Sequence, residues 1–276
     1  MITLGQSYTL EVTKLSEHGA YLNAGELGDV LLPRKFASKA LTPGDMVDVF
    51  LYRDSEDRPV ATTQTPKAKV GEFALLKVKQ STPVGAFLDW GLEKDLLVPF
   101  SEQGDGMRVG HSYVVFLYLD EIHNRITATT KLDKHLNKEP HRFKEQQAVD
   151  LVIAQITDLG FKAIINGTHT GILYSNEVFQ PLEIGQQIQG YIKQIRYDGK
   201  IDLCLQGTKQ ARDSHAEAIL RHLENRGGSS PLNDKSSPEE ITAALHMSKK
   251  AFKKAVGGLY KQQKITVSED GIELVK

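Results

Sequence analysis

Thiols are almost missing from this chain. Of 276 residues one, Cys204, is cysteine, which excludes an internal disulfide framework and any cysteine-built zinc site, since both need several thiols. No run of about 18 apolar residues occurs, so a membrane-spanning helix is not expected. The start, Met1-Ile2-Thr3-Leu4-Gly5-Gln6, lacks the basic head and apolar stretch of a secretory signal. A cytoplasmic protein without membrane contact is the expectation. An excess of one charge is absent too: 34 basic and 35 acidic residues leave a net charge of −1. That balance excludes a uniformly basic chain but not a basic segment. With 40% hydrophobic and 25% charged residues, the chain can nonetheless build packed cores and is neither disordered nor fibrous.

Catalytic patterns are also lacking. The nine histidines are spread along the chain without a His-Glu-x-x-His arrangement, and His215 and His222 share a helical face without further ligands. Cys204 lies in Ile201-Asp202-Leu203-Cys204-Leu205, where a small buried strand residue is expected, and no base adjoins it. Gly25 to Gly28 has neither the lysine nor the strand-to-helix setting of a phosphate loop. Asp54, Asp57, Asp120 and Asp198 fall at expected hairpin tips. No enzyme, metal site or cofactor is expected.

What is present is a repeat. Gly5, Leu10, Gly19-Ala20, Leu22, Asp29, Leu31, Pro33, Gly44 and Tyr52 recur as Gly71, Leu76, Gly85-Ala86, Leu88, Asp95, Leu97, Pro99, Gly110 and Tyr118. A third copy places Thr157, Gly160, Glu177, Gly185 and Ile201 where the second has Thr82, Gly85, Glu102, Gly110 and Ile126. Each copy shows five short alternating runs separated by Gly, Asp and Asn, which predicts an all-β unit that fits a five-stranded OB-fold barrel. Gly19, Gly85 and Gly160 suit a tight turn or bulge where strand two begins. The predicted units are 1–66, 67–131 and 146–207, with a basic linker over 132–145 that has room for a helical turn.

After residue 207 the period becomes helical. Ala216, Ile219, Leu220 and Leu223 mark a first helix, stopped by Gly227-Gly228-Ser229-Ser230-Pro231. Ser237-Pro238-Glu239-Glu240 starts a second helix, Ser248 caps a third, and residues 264–276 form a hairpin around Asp270-Gly271. Three helices and a hairpin over 208–276 predict a winged helix, whose third helix usually enters a groove. On that helix Lys250, Lys254, Gly257 and Lys261 form one stripe, with Lys249 and Lys253 alongside. A solvated lysine face and a phosphate-binding face both fit this pattern.

The order Gly-Ala-Tyr/Phe-Leu, an apolar triplet after Gly or Asp, Pro-Gly-Asp or Val-Gly-His before strand four, and Arg-x-x-Ala-Thr-Thr resembles the RNA-binding barrel named after ribosomal protein S1. Three such barrels followed by a small helical domain resemble the conserved virulence factor B family along essentially the whole chain. The resemblance implies stacking of bases on the strand-two aromatic, which is Tyr21 and Phe87 here, with Lys162 in copy three. The strand-three position is Pro33, Pro99 and Tyr174, and the strand-five basic position is Arg58, Arg125 and Lys200; no copy carries the full set. Tyr21 and Phe87 could instead cover the core. Strand parity sets the single tryptophan, Trp90, opposite Phe87, which favours packing over base stacking. Arg196 and Tyr197 join Lys200 at a hairpin that is equally readable as a solvated tip.

Divided by unit, the charge is uneven. Residues 1–66 carry net −3, 67–145 net +1, 146–207 net −2 and 208–276 net +3. Counterion release makes lysine and arginine the main source of phosphate affinity, which points to the last unit. The expected partner is single-stranded RNA, with messenger RNA or the ribosome as its setting, held by Phe87, Arg125, Lys162, Tyr174, Arg196, Tyr197, Lys200 and Lys249, Lys250, Lys253, Lys254 and Lys261. Tyr21, Arg58 and Trp90 are weaker candidates. A DNA-binding regulator and a protein-interaction scaffold are the alternatives, and the sequence leaves the oligomeric state open.

Overall fold

Alternating apolar and polar residues give each repeat a long first strand that bends and serves two neighbours. The computed structural model describes all residues except Lys39, Asp105, Phe179, Gly207 and Lys276, and gives only the backbone for residues 208–214. In the first repeat β1 (Ser7–Ser16), β2 (Gly19–Asn23), β3 (Asp29–Pro33), β4 (Met46–Arg53) and β5 (Pro59–Thr62) close into a barrel in the order β1-β2-β3-β5-β4. The second is closed by β6 (Phe73–Thr82), β7 (Gly85–Asp89), β8 (Leu96–Pro99), β9 (Ser112–Asp120) and β10 (Arg125–Thr129). The third consists of β11 (Ala148–Thr157), β12 (Gly160–Ile165), β13 (His169–Tyr174), β14 (Gln187–Ile195) and β15 (Ile201–Cys204). Closure leaves no edge strand to aggregate. The barrel boundary expected at Gly207 and the hairpin end expected at Lys276 lie outside the described residues.

Two backbone features repeat in all three barrels. The first strand shifts register between Val12 and Lys14, between Val78 and Gln80, and between Ile153 and Gln155. Such a bulge bends the strand around the barrel. The second feature is the glycine that opens strand two. Gly19, Gly85 and Gly160 have φ of +144°, +149° and +141°, and a Cβ there would stand 2.1, 2.3 and 2.2 Å from the carbonyl oxygens of Leu32, Val98 and Leu173. No side chain fits between these two strands.

By contacts the chain divides into two compact units, Met1–Leu136 and Asn137–Lys276. In the first unit the two barrels share a core, because Phe50, Tyr52 and Val60 belong to the same buried cluster as Leu88, Trp90 and Leu92. Trp90 is 3% exposed, meets Phe50 edge-on at 5.7 Å and donates its indole N–H to the Lys94 carbonyl at 2.5 Å. Base stacking by Trp90 is therefore corrected: both faces of the ring are spent on packing. Around this core Lys94 donates to the Asp54 carbonyl at 2.6 Å, Arg125 binds the Asp57 carboxylate, and Val70 donates to the Gly5 carbonyl at 3.0 Å.

The basic segment 132–145 does not run free. Leu132–His135 makes a 3-10 turn whose His135 ring stacks on Phe116 at 4.1 Å, and Leu136 is buried in the first unit. From Asn137 the chain belongs to the second unit: Asn137 donates to the Thr168 carbonyl at 2.9 Å, and Phe143 packs on the third barrel's core.

The second unit continues with α1 (Thr208–Asn225), β16 (Ser229–Ser230), α2 (Pro238–Leu245), α3 (Lys249–Lys261), β17 (Ile265–Ser268) and β18 (Gly271–Leu274). Ser237 and Glu240 form a reciprocal capping box at the start of α2, worth about 1 kcal/mol. Ile219, Leu223, Ile241, Phe252, Leu259 and Ile272 make the core of this winged helix. The segment expected only to stop α1 also contributes β16, which pairs with β18.

Gly85→Ala is expected to lower the unfolding free energy by roughly 2–4 kcal/mol in a urea titration, since positive φ and a backbone clash combine. Trp90→Ala should lose about 3–5 kcal/mol. An unchanged midpoint in the second titration would contradict the shared core.

Candidate nucleic-acid interface

The fold brings the strand-two, strand-three and strand-five positions of each repeat into the same places, but it uses them differently. In the first barrel Tyr21 is half-buried, and the Lys14 ammonium lies 4.6 Å from its ring centre. Arg58 nearby is tied to Asp54 at 2.7 Å and Glu56 at 3.0 Å, and the Asp54 hydrogen bond holds its guanidinium protonated beyond the usual range. In the second barrel Phe87 is half-buried between the Gln80 and Leu97 positions. Arg125 turns toward the first barrel, and its bond to Asp57 holds that carboxyl below the usual carboxylate range. Asp57 reaches this place with φ of +62° at a hairpin tip.

In the third barrel Lys162 is half-buried opposite Gln155. Tyr174 occupies the place opposite Gly160 that Pro33 and Pro99 hold opposite Gly19 and Gly85. Arg196 lies 3.0 Å from Asp202, donates to the Tyr174 hydroxyl, and has its guanidinium carbon 5.8 Å from the Tyr174 ring centre. Asp202 is 7% exposed. Its hydrogen bond raises the Arg196 pKa. The sequence reading missed Asp202, because simple alternation in β15 gave no sign that a carboxylate would sit under Arg196. Lys200 pairs with Asp198 at 2.9 Å, and Tyr197 stands fully exposed at the hairpin tip. The expected Arg196, Tyr197 and Lys200 group is thus divided: Arg196 joins Tyr174 and Asp202, while Tyr197 projects alone.

On α3 the buried side is Phe252, Ala255 and Leu259. Lys249, Lys250, Lys254 and Lys261 have no carboxylate within ion-pair distance among the described residues; Lys253 lies 3.8 Å from Asp234. Lys250, Lys254 and Gly258 line a groove of about 800 Å³ against the third barrel's Lys193, Cys204 and Leu205. Of the expected stripe, Lys250 and Lys254 line this groove together with Gly258, whereas Gly257 and Lys261 are not part of its lining. Each glycine weakens a helix interior by about 1 kcal/mol relative to alanine. Neither is required by packing, since a Cβ at Gly257 or Gly258 would meet nothing within 4 Å.

Cys204 is half-buried and burial raises its thiol pKa, so it is held as the weakly reactive thiol. Burial lowers the His215 and His222 pKa values, and His222 lies 3.1 Å from the Ser230 hydroxyl. Among the described residues no group of three or more His, Cys, Asp and Glu side chains could hold a metal ion. No described helix is long and apolar enough to cross a membrane.

Residues 217–274 match the CvfB-like winged helix domain, and residues 4–64 and 70–131 match the S1 domain. S1 domains are nucleic-acid-binding barrels of the OB type. The uncharacterized protein YitL of Bacillus subtilis is 28% identical over 274 residues, which cover 95% of this chain and 90% of that protein. Conserved virulence factor B of Staphylococcus saprophyticus is 24% identical over 265 residues, covering 92% and 85%. A Streptococcus pneumoniae crystal structure, described as a multidomain protein with nucleic acid binding domains, aligns over 99% of this chain and 98% of its own at 24% identity and a TM-score of 0.43. The chain thus combines S1 domains with a CvfB-like winged helix and is similar to conserved virulence factor B along nearly its whole length.

Proposed function

We propose that the protein is a cytoplasmic, non-enzymatic regulator that binds single-stranded RNA across its third barrel and winged helix and controls gene expression after transcription. Its partner is messenger RNA, free or on the ribosome, and the virulence in its relatives' names is one output of such control. One observation carries the reading. The candidate cations Arg58, Arg125, Arg196 and Lys200 on the barrels are each held by a carboxylate, whereas four lysines of α3 have none among the described residues.

Local physics on α3 supports the same reading. Lys249 and Lys250 stand in its first turn, where no acidic residue accompanies them. Cations there oppose the helix dipole, and a bound phosphate relieves the opposition. Tyr174 and Tyr197 supply rings for stacking, worth about 1–3 kcal/mol per base. A single strand is favoured over a duplex because the wing tip between β17 and β18 carries Glu269 and Asp270, which would repel the phosphates that a wing meets on a duplex.

Binding of single-stranded RNA, single-stranded DNA and duplex DNA across a salt series tests this. Single-stranded RNA should bind most tightly, and replacing Lys249, Lys250 and Lys254 together by alanine should flatten its log–log salt slope by about 2. Tight duplex-only binding would contradict the proposal. Absence of salt-dependent binding to all three would leave a protein-interaction scaffold.

A further inference from the structure

The two adjacent glycines of α3 differ in one respect. Gly258 lines the groove between α3 and the third barrel, and Gly257 is exposed outside it. Each has open space where its Cβ would be, so neither is there to let protein pack. At Gly258 that open space belongs to the groove itself. Lys250 and Lys254 stand on the same wall, about two and one helical turns before it, and Lys193 faces them from β14. Lys193 is shared with Glu177 at 2.7 Å, which leaves the helix wall as the stronger attractor of an anion. His215 and His246 also line the groove, and no phenylalanine, tyrosine or tryptophan does among the described residues. Its size is that of sites that enclose a small ligand.

We infer that this groove holds the sugar–phosphate backbone of a single RNA strand, with Gly258 as the point where the strand comes closest to the α3 backbone. The inference rests on the RNA reading above and locates the strand within it. Lys250 and Lys254 contact phosphates rather than base edges, so this wall adds affinity that does not depend on sequence. Base stacking remains with the tyrosines of the third barrel. A side chain at position 258 would fill the space that the strand needs, while one at position 257 would stand outside the groove's lining.

The test uses the full-length protein with Gly258→Gln and Gly257→Gln, measured by thermal unfolding and by fluorescence anisotropy with a short mixed-sequence single-stranded RNA. Glutamine is the better helix former, so both variants should unfold roughly 2–5 °C higher. Gly258→Gln should bind RNA about tenfold more weakly, and Gly257→Gln should bind within about twofold of the parent. Equal binding by both variants, with binding still lost in Lys250→Ala/Lys254→Ala, would overturn the groove while leaving the RNA reading in place. A lowered unfolding temperature for Gly258→Gln would make the glycine a packing requirement and overturn the inference as well. Failure of the parent protein to bind RNA would overturn both.

Discussion

Carboxylate pairing governs what each cation of this protein is free to do. A lysine or arginine beside an aspartate has its charge offset in the local field, so it attracts a phosphate less than an unpaired one does. On the barrels the strand-five cations are in that condition, with Arg58 on Asp54, Arg125 on Asp57 and Lys200 on Asp198. The third helix of the winged helix is the contrast, since its lysines project with little to neutralise them. The net charge of −1 is a sum in which the two regimes cancel.

The first two barrels spend their surface on each other. Phe50 and Trp90 join their cores, and Asp57, held at positive φ, reaches both Arg125 and Lys94 of the neighbouring barrel. The hairpin between strands four and five, which in many OB-fold barrels borders the ligand, is here a clamp between barrels. The third barrel keeps its corresponding hairpin open, with Tyr197 at its tip and Arg196 braced against Tyr174 by the buried Asp202. This division of labour supports placing the RNA on the second unit.

Much of the fold was legible in the sequence, because barrel closure forces the same glycine at the same point three times. Gly19, Gly85 and Gly160 mark the start of strand two by a requirement that no other residue meets, and Ser237-Pro238-Glu239-Glu240 marks a helix start by local chemistry alone. The site was less legible, for reasons that are also physical. Residue type placed a cation at Arg125, but its partner Asp57 comes from the preceding repeat, and spacing along the chain carries no sign of that contact. Gly257 and Gly258 are consecutive and about 100° apart on a helix, so only the position of the third barrel tells which one faces the groove. Asp202 looked like one polar residue in an alternating strand, and its role depends on Arg196 folding over it. Strand parity did suffice for Trp90, whose packing preference it indicated correctly.

Whether the second unit holds the RNA is read from a hydrogen-exchange footprint of the full-length protein with and without single-stranded RNA. Added protection is expected in residues 249–261 and in the hairpin around Arg196 to Lys200, with the hairpin from Asp54 to Arg58 unchanged. Protection confined to the first two barrels would contradict it.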